Sequence, residues 1–393
     1  MPERRMSRML VALLAITSGA TAANLWYITP LLNEVAHDFG ASKAAAGLLV
    51  TAVQGGYVLG LALLVPLGDL MERRALITRV LAGTAAAAVL CALAPSIAWL
   101  GGALILLGLT ACVAQIVVPL ASVLAGPSER GQVVGTVMSG LLIGVLLART
   151  VAGLVAELAG WRAVFVFAAA SMLGLGLVLR RALPLVEPTE RLSYPGLLRS
   201  VATLIGAEPV LRQRMALGAC CMACFSMLWT AIVFLLGDAP FGYSEGVIGL
   251  FGLFGVVGAS VAPIAGRLTD RGNARAVTTG FMLLLLVGWG LLALGTTTLL
   301  PLIAGIVLLD AGVQGTHITN QAAIYVLAPE LRSRLTTAYM VAYFLGGTAG
   351  TLLGTLAYDA GGWHAVCAVG AGLMGVAFLV WALTRRVGAT ATT

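Results

Sequence analysis

Four polar side chains recur at helical spacing within one apolar stretch near the end of the chain. Asp310, Gln314, His317 and Gln321 occupy positions i, i+4, i+7 and i+11, which places them on one face of an α-helix. Ionisable groups are costly inside lipid, so this face is predicted to line a water-filled cavity or to contact another helix. Asp310 and His317 could each bind and release a proton near neutral pH. The sequence leaves open which of them does so, or whether they form a relay.

Arg149 lies deep in a second apolar stretch and cannot lose its charge. It could pair with a carboxylate, for which Asp310 is the candidate, or it could bind an anionic group. A purely structural ion pair is a third possibility. Pairing would favour the charged form of Asp310 and would therefore conflict with proton transfer by that residue. Small residues at steps of about four predict close helix packing along the same stretch: Gly140, Gly144, Ala148, Gly153 and Gly160.

The elements that must position these groups are long apolar segments. The chain of 393 residues is 60% hydrophobic and 10% charged, whereas soluble domains are about 25% charged. This composition excludes soluble, disordered and disulfide-stapled classes, and the segments are too long and too uniformly apolar for β-barrel strands. Spanning helices need about 20 apolar residues. Twelve such segments are predicted, at 9–31, 44–68, 75–94, 97–123, 132–157, 161–180, 214–237, 244–267, 275–296, 299–325, 334–358 and 363–384.

The distribution of basic residues predicts the orientation of these segments. Loops on one side carry nearly all the arginines, from Arg4 before the first segment through Arg212 and Arg214 in the middle to Arg385 near the end. The net charge of +7 is therefore assigned to topology rather than to nucleic-acid binding, and both termini are predicted to be cytoplasmic. We expect a multi-pass protein of a bacterial cytoplasmic (inner) membrane. The first segment is predicted to be retained rather than cleaved as a signal peptide, because its apolar run continues to Ile28.

An internal repeat divides the chain into two halves. A shift of 202 residues places Arg130 on Arg332 and the pair at 160–161, Gly-Trp, on the same pair at 362–363. Each copy contains six predicted segments, so the halves are parallel and a binding site is expected at their interface. The predicted domains are a six-helix bundle at 1–180, a cytoplasmic linker with a short amphipathic helix at 181–213, and a second bundle at 214–393.

Two loops at equivalent places in the halves carry the most specific motif. The sequence LGDLMERR at 67–74 and the sequence GRLTDRG at 266–272 resemble a loop of the major facilitator superfamily. Within that superfamily, the ANLWY run at 23–27 and the GWR run at 160–162 are similar to the drug, sugar and nucleoside efflux group of bacterial permeases. The resemblance implies an all-α integral membrane fold of twelve helices. It also implies a latch that holds the outward-facing state, whereas the alternative is that the arginines only determine topology. The implied gate residues are Asp69, Arg73, Arg74, Asp270, Arg271 and Gly272.

The resemblance also implies that the first, fourth, seventh and tenth segments surround a central cavity. Several polar or aromatic side chains on these segments and their neighbours become candidates for substrate binding. For any one of them, the alternative is a hydrogen bond that holds helices together. The candidates are Asn24, Gln54, Gln115, Arg149, Trp229, Asp310, Gln314, His317 and Gln321.

The predicted function is export of a small organic molecule by alternating access, driven by inward proton flow through Asp310 or His317. Uptake or facilitated diffusion remains an alternative, because Ala148 and Arg149 replace the Gly-Pro pair usual in antiporters of this superfamily. A ligand-binding membrane sensor is a further alternative. No Walker, HExxH or GxSxG motif indicates an enzyme. The expected partners are the substrate, protons and lipid, without nucleic acid, metal or cofactor, and the protein is expected to be a monomer.

Overall fold

The computed structural model describes residues 6–125, 129–186, 193–259, 261, 264–265, 268, 274–325, 327 and 332–384. Helices are the regular structure throughout these residues, and nine of the described helices are long and apolar enough to cross a membrane. One of the nine, Arg334–Leu383, has 50 residues and contains a break. The prediction of an all-α integral membrane protein is confirmed. The count of twelve spans and the cytoplasmic termini stay predictions.

The first half of the chain forms nine α-helices and one short 3₁₀ turn at Thr29–Leu31. The helices are α1 (Arg8–Ala23), α2 (Leu32–Asp38), α3 (Lys43–Leu63), α4 (Leu67–Leu70), α5 (Arg73–Ala92), α6 (Ile97–Thr110), α7 (Val113–Leu124), α8 (Arg130–Ala159) and α9 (Trp161–Ala182). The predicted segment 97–123 is thus interrupted between α6 and α7. At this interruption the carbonyl oxygen of Thr110 accepts a hydrogen bond from Thr84 Oγ1 at 3.1 Å.

The rest of the described chain begins with α10 (Tyr194–Ala207), where the sequence predicts a short linker helix. It continues with α11 (Pro209–Gly237), α12 (Glu245–Leu250), α13 (Gly252–Ala259), α14 (Ala274–Leu294), α15 (Leu299–Tyr325) and α16 (Arg332–Leu383). Helix α11 starts earlier than the predicted segment at 214 because Pro209 opens its first turn, where a proline needs no hydrogen-bond partner. Arg214 therefore lies inside a helix and not in a loop.

Glycines with a positive φ angle separate consecutive helices at the same place in both copies of the repeat. Gly160 (φ 81°) stands between α8 and α9, and Gly362 (φ 63°) lies at the break within α16. Only glycine adopts this conformation at low cost. The tryptophan that follows each glycine is buried: the side chain of Trp161 is 2% exposed and that of Trp363 is 4% exposed. The Gly-Trp pair therefore ends one helix and anchors the start of the next.

The chain divides into two compact units. Unit 1 contains 1–41, 52–197 and 245–249, and unit 2 contains 42–51, 198–244 and 250–393. In unit 1, α1 packs on α8 and α5 on α9; in unit 2, α11 packs on α16 and α14 on α15. Close approach of α1 and α8 depends on Gly19, since a Cβ there would lie 2.5 Å from the carbonyl oxygen of Gly140. The close packing predicted for the small residues of this stretch is confirmed at Gly140, Gly144 and Gly153.

Each unit contains a short segment from the other half of the sequence. Residues 42–51 belong to unit 2, where Lys43 forms an ion pair with Asp238. Residues 245–249 belong to unit 1, where Thr150 Oγ1 donates to the carbonyl oxygen of Gly249 at 3.0 Å. The two segments begin 203 residues apart, within one residue of the repeat length of 202. The repeat therefore also relates the two places at which a segment from one half of the sequence belongs to the unit of the other half.

Candidate functional site

Asp310, a buried carboxylate of unit 2, accepts a hydrogen bond from the indole of Trp229, which is also a predicted site residue. Trp229 on α11 donates from Nε1 to Asp310 Oδ1 on α15 at 3.3 Å. The side chains are 2% and 3% exposed, respectively. A hydrogen bond to an ionised acceptor is stronger than one between neutral groups. The structure thus brings together two predicted site residues from helices that are distant in sequence.

His317 lies against two tyrosines of α16 that are not among the residues predicted from the sequence. Its Nδ1 is 3.0 Å from the hydroxyl oxygen of Tyr339. Its ring centroid lies 5.5 Å from that of Tyr339 and 4.6 Å from that of Tyr343. The available signal was the four-residue spacing of these tyrosines, which places both on one face of a helix. The environment of His317 is therefore aromatic and hydrogen-bonding.

The remaining residues of the predicted stripe on α15 differ in burial. Asp310 is buried, whereas Gln314, His317 and Gln321 are half-buried. Asn320, which neighbours the stripe, is completely buried. All of these side chains are therefore buried or half-buried. A role of the stripe in lining an aqueous cavity stays a prediction.

Arg214 is a buried cation whose only role predicted from the sequence is to determine membrane topology. Its side chain is 7% exposed. Its Nη1 donates to Asn320 Oδ1 at 3.2 Å and to Thr278 Oγ1 at 3.3 Å. Its guanidinium carbon lies 4.9 Å from the ring centroid of Trp381, within range for a cation–π interaction. Because the sequence places Arg214 beside other arginines at a segment end, no local signal distinguishes it.

Unit 1 contains the other predicted charge. Arg149 on α8 is 2% exposed, and its guanidinium carbon lies 4.6 Å from the ring centroid of Trp26. Trp26 belongs to the turn that follows α1 and is 4% exposed. The face of an indole ring attracts a cation. Trp26 therefore provides one contact that stabilises the guanidinium of Arg149 next to the end of α1.

Three polar candidates belong to unit 1, where Asn24 and Gln54 are buried and Gln115 is half-buried. Gln54 on α3 is 1% exposed. Gln115 on α7 donates from Nε2 to the hydroxyl oxygen of Tyr57 at 3.4 Å. Asn24 is 1% exposed, and its amide nitrogen donates to the carbonyl oxygen of Ala20 at 2.9 Å and contacts the sulfur of Met172 at 3.6 Å. Asn24 thus binds the last turn of α1, as a residue at a helix end commonly does.

Comparison with known proteins agrees with this architecture. The family model of the Major Facilitator Superfamily matches residues 14–347 and, in a second match, residues 215–392. The chain belongs to the major facilitator superfamily. It is 48% identical over 380 residues to the uncharacterized transporter YgaY of Escherichia coli O157:H7, which covers 97% of this chain and 96% of that protein. Membrane transport of a small molecule by alternating access follows from this membership.

Two further similarities extend the comparison. The chain is 27% identical over 387 residues to the chloramphenicol resistance protein of Streptomyces lividans, which covers 96% of this chain and 97% of that protein. The crystal structure of a bacterial homologue of the human lysosomal transporter Spinster superimposes with a TM-score of 0.73 over 98% of this chain and 96% of that chain, at 15% identity. The second similarity concerns the fold alone.

Arg73 and Arg74 of the superfamily loop in the first half form hydrogen bonds within unit 1. Arg73 is 5% exposed and donates from Nε to the carbonyl oxygen of Gly68 at 3.0 Å. Arg74 donates from Nη1 to the carbonyl oxygen of Leu183 at 3.4 Å, at the end of α9. Asp69 belongs to α4, and its side chain is outside what the structure describes. Asp270, Arg271 and Gly272 of the second loop lie outside the described residues.

Glu72 lies in the same loop and forms the N-cap of α5. Its carboxylate accepts hydrogen bonds from the backbone N–H groups of Arg74 at 2.9 Å, Ala75 at 2.8 Å and Val186 at 3.4 Å. Burial by itself would raise the pKa of Glu72, but these three donors and the charge of Arg74 together outweigh burial and lower that pKa. The residue thus connects the start of α5 to the chain after α9.

Proposed function

We propose that this superfamily member exports a small organic molecule from a bacterial cytoplasm as a proton antiporter, and that Asp310 carries the proton. The observation that supports this is the buried carboxylate of Asp310 beside the Trp229 N–H group. A carboxylate at such a place is costly while charged and is therefore suited to bind a proton in one access state and release it in the other.

The chemistry of the pair explains how a charge change would reach the helices. Trp229 Nε1 can only donate, so it stabilises the ionised form of Asp310 more than the protonated form. Proton binding weakens the attachment of α11 to α15, and proton release strengthens it. A substrate group that approaches Asp310 would compete for the same carboxylate. Coupling then follows from the preference of each access state for one charge form.

The proposed substrate site retains the residues predicted from the sequence, and Asn24 and Gln54 are its most buried amides. Arg149 is proposed to hold a substrate group of partial or full negative charge. His317, Gln314 and Gln321 are proposed to provide hydrogen bonds. Asp69, Arg73, Arg74, Asp270, Arg271 and Gly272 are proposed to control access from the cytoplasmic side. The protein is proposed to act as a monomer.

Export is favoured over uptake by the similarity to a protein named for chloramphenicol resistance, since resistance is consistent with removal of the drug. Chloramphenicol is therefore the first compound to test. Proteoliposomes with purified protein would be loaded with chloramphenicol, and its flux would be measured with a pH gradient in each direction. Efflux that an inward proton gradient accelerates and an outward gradient slows supports antiport. The opposite dependence supports symport, and flux indifferent to the gradient supports facilitated diffusion.

The decisive variant is Asp310→Asn, which keeps the size of the side chain and removes its charge. Proton-driven accumulation should be lost, whereas exchange of substrate across the membrane without a gradient should remain. Asp359→Asn is the matched control, because Asp359 is exposed. Accumulation against a gradient by Asp310→Asn would show that the proton is carried elsewhere.

A further inference from the structure

The hydrogen bonds that connect Arg214 to His317 have a direction that the chemistry of their groups determines. They begin at the guanidinium, which has donors and no acceptor. Nη1 of Arg214 therefore donates to both of its oxygen partners, Asn320 Oδ1 and Thr278 Oγ1. Thr278 gives its own hydroxyl hydrogen to the carbonyl oxygen of Ala274 at 2.8 Å. A lone pair of Thr278 is thus left for the arginine.

The contact with Arg214 determines how the amide of Asn320 is oriented. Its oxygen must face the guanidinium, because the opposite orientation would direct two N–H donors at each other. Its nitrogen consequently faces Tyr339, and Nδ2 donates to the hydroxyl oxygen of Tyr339 at 3.4 Å. Asn320 and Tyr339 are both 0% exposed. Water does not reach either group to replace these bonds.

Tyr339 continues the donor-to-acceptor direction of these hydrogen bonds to His317. Its hydroxyl accepts a hydrogen from Asn320, and its own single hydrogen remains available for His317 Nδ1, at 3.0 Å. Nδ1 then acts as an acceptor and carries no hydrogen. In a neutral imidazole the hydrogen must consequently be on Nε2. The stack of His317 on Tyr343, at 4.6 Å between centroids, holds the ring in this position.

We infer that Arg214 is a positioning residue that acts through Asn320 and Tyr339 to hold His317 as the tautomer with its hydrogen on Nε2. Nε2 then presents a hydrogen-bond donor, and this half-buried side chain recognises an acceptor on the substrate, such as a carbonyl, hydroxyl or ring nitrogen. This recognition role rests on the proposed transport function, whereas the tautomer does not. It also assigns the coupling proton to Asp310, because a proton added at Nδ1 of His317 would oppose the hydroxyl hydrogen of Tyr339.

Nitrogen NMR of the purified full-length protein tests the tautomer directly. The chain has three histidines, of which His37 and His364 are exposed. With ¹⁵N-labelled histidine, the signals of His317 are those lost in His317→Gln. The wild-type protein should show Nδ1 without hydrogen and Nε2 with hydrogen. Because the intact chain favours one form by about one hydrogen bond, Arg214→Met should lower the tautomer ratio about fivefold.

Three further variants separate this role from a general effect on folding. Tyr339→Phe removes only the hydroxyl and should change the ratio as Arg214→Met does. Arg214→Lys retains a donor and should keep the wild-type ratio. Arg181→Met replaces an exposed arginine in the last turn of α9 and should leave the spectrum unchanged.

Two results would overturn the inference. One is a hydrogen on Nδ1 of His317 in the wild-type protein. The other is a ratio that neither Arg214→Met nor Tyr339→Phe alters. The spectra need no transported substrate. If Asp310→Asn still accumulated chloramphenicol while the spectra agreed with expectation, the proposed proton site would fail and the tautomer assignment would stand.

Discussion

Replacement of Gly19 by alanine tests whether close helix contact stabilises unit 1. A Cβ at this position would lie 2.5 Å from the carbonyl oxygen of Gly140, 3.3 Å from its carbonyl carbon and 3.4 Å from the Cα of Gly144. Cβ atoms in real proteins essentially never lie within 3.0 Å of a non-bonded heavy atom. The nearest atoms belong to the backbone of α8, so no side-chain rotation relieves the overlap. Helices α1 and α8 must therefore move apart.

The expected magnitude combines two opposing effects. An alanine inside a helix is favoured over glycine by about 0.5–1 kcal/mol. Overpacking of a tight contact costs about 1–3 kcal/mol. Gly174→Ala is the matched control, because Gly174 lies inside α9 and nothing stands within 4 Å of its added Cβ. The control carries only the favourable effect, so the free energies of unfolding of the two variants should differ by about 1–3 kcal/mol.

Thermal unfolding of the purified variants in detergent micelles measures this difference. Gly174→Ala should have a Tm at or slightly above that of the wild-type protein, and Gly19→Ala should have a lower one. Chloramphenicol flux provides a second measurement, since the separation of α1 from α8 also changes the contact between Trp26 and Arg149. Equal or higher thermal stability of Gly19→Ala would show that the helices adapt without cost, and the packing argument would be refuted.

Three other substitutions have expected outcomes. Glu72→Ala removes the N-cap of α5 and should lower the free energy of unfolding by about 1 kcal/mol at pH 7; since the folded-state pKa of Glu72 is lowered, the loss should fade as the pH falls through that pKa. Glu34 should show the opposite pH dependence, because its folded-state pKa is raised. Burial is the largest cause, and the carboxylates of Glu245 and Asp38 also raise this pKa, whereas the Trp161 N–H group and Arg162 lower it. Stability from Glu34 is present below its unfolded pKa and is lost as the pH rises through the folded one, so Glu34→Gln should remove that decline in melting curves at several pH values. Trp26→Leu should lower stability by about 0.5–2 kcal/mol through loss of the contact with Arg149; an unchanged Tm would contradict this contact.

Local patterns were sufficient to predict the helical membrane class and much of the helix layout. Hydropathy and the spacing of apolar residues report what a segment does by itself, and so does a glycine that needs a positive φ. Gly160 and Gly362 accordingly mark helix boundaries in the sequence and in the structure. The selection of Asp310 also followed from a local rule, because ionisable groups are rare and costly inside lipid, whereas Trp229 was selected from the family resemblance.

Only the tertiary structure decided which side chains meet. Arg214 is one of several arginines near the central linker, and its burial depends on α14, α15 and α16 packing around α11. In the sequence, Tyr339 and Tyr343 are two tyrosines of a predicted membrane span. Only the packing of α16 on α15 brings them into contact with His317. The assignment of residues 42–51 to unit 2 and of residues 245–249 to unit 1 likewise depends on contacts between residues far apart in sequence. The physical reason is that periodicity along the chain specifies which face a helix buries, whereas the identity of the neighbour depends on contacts between residues far apart in sequence.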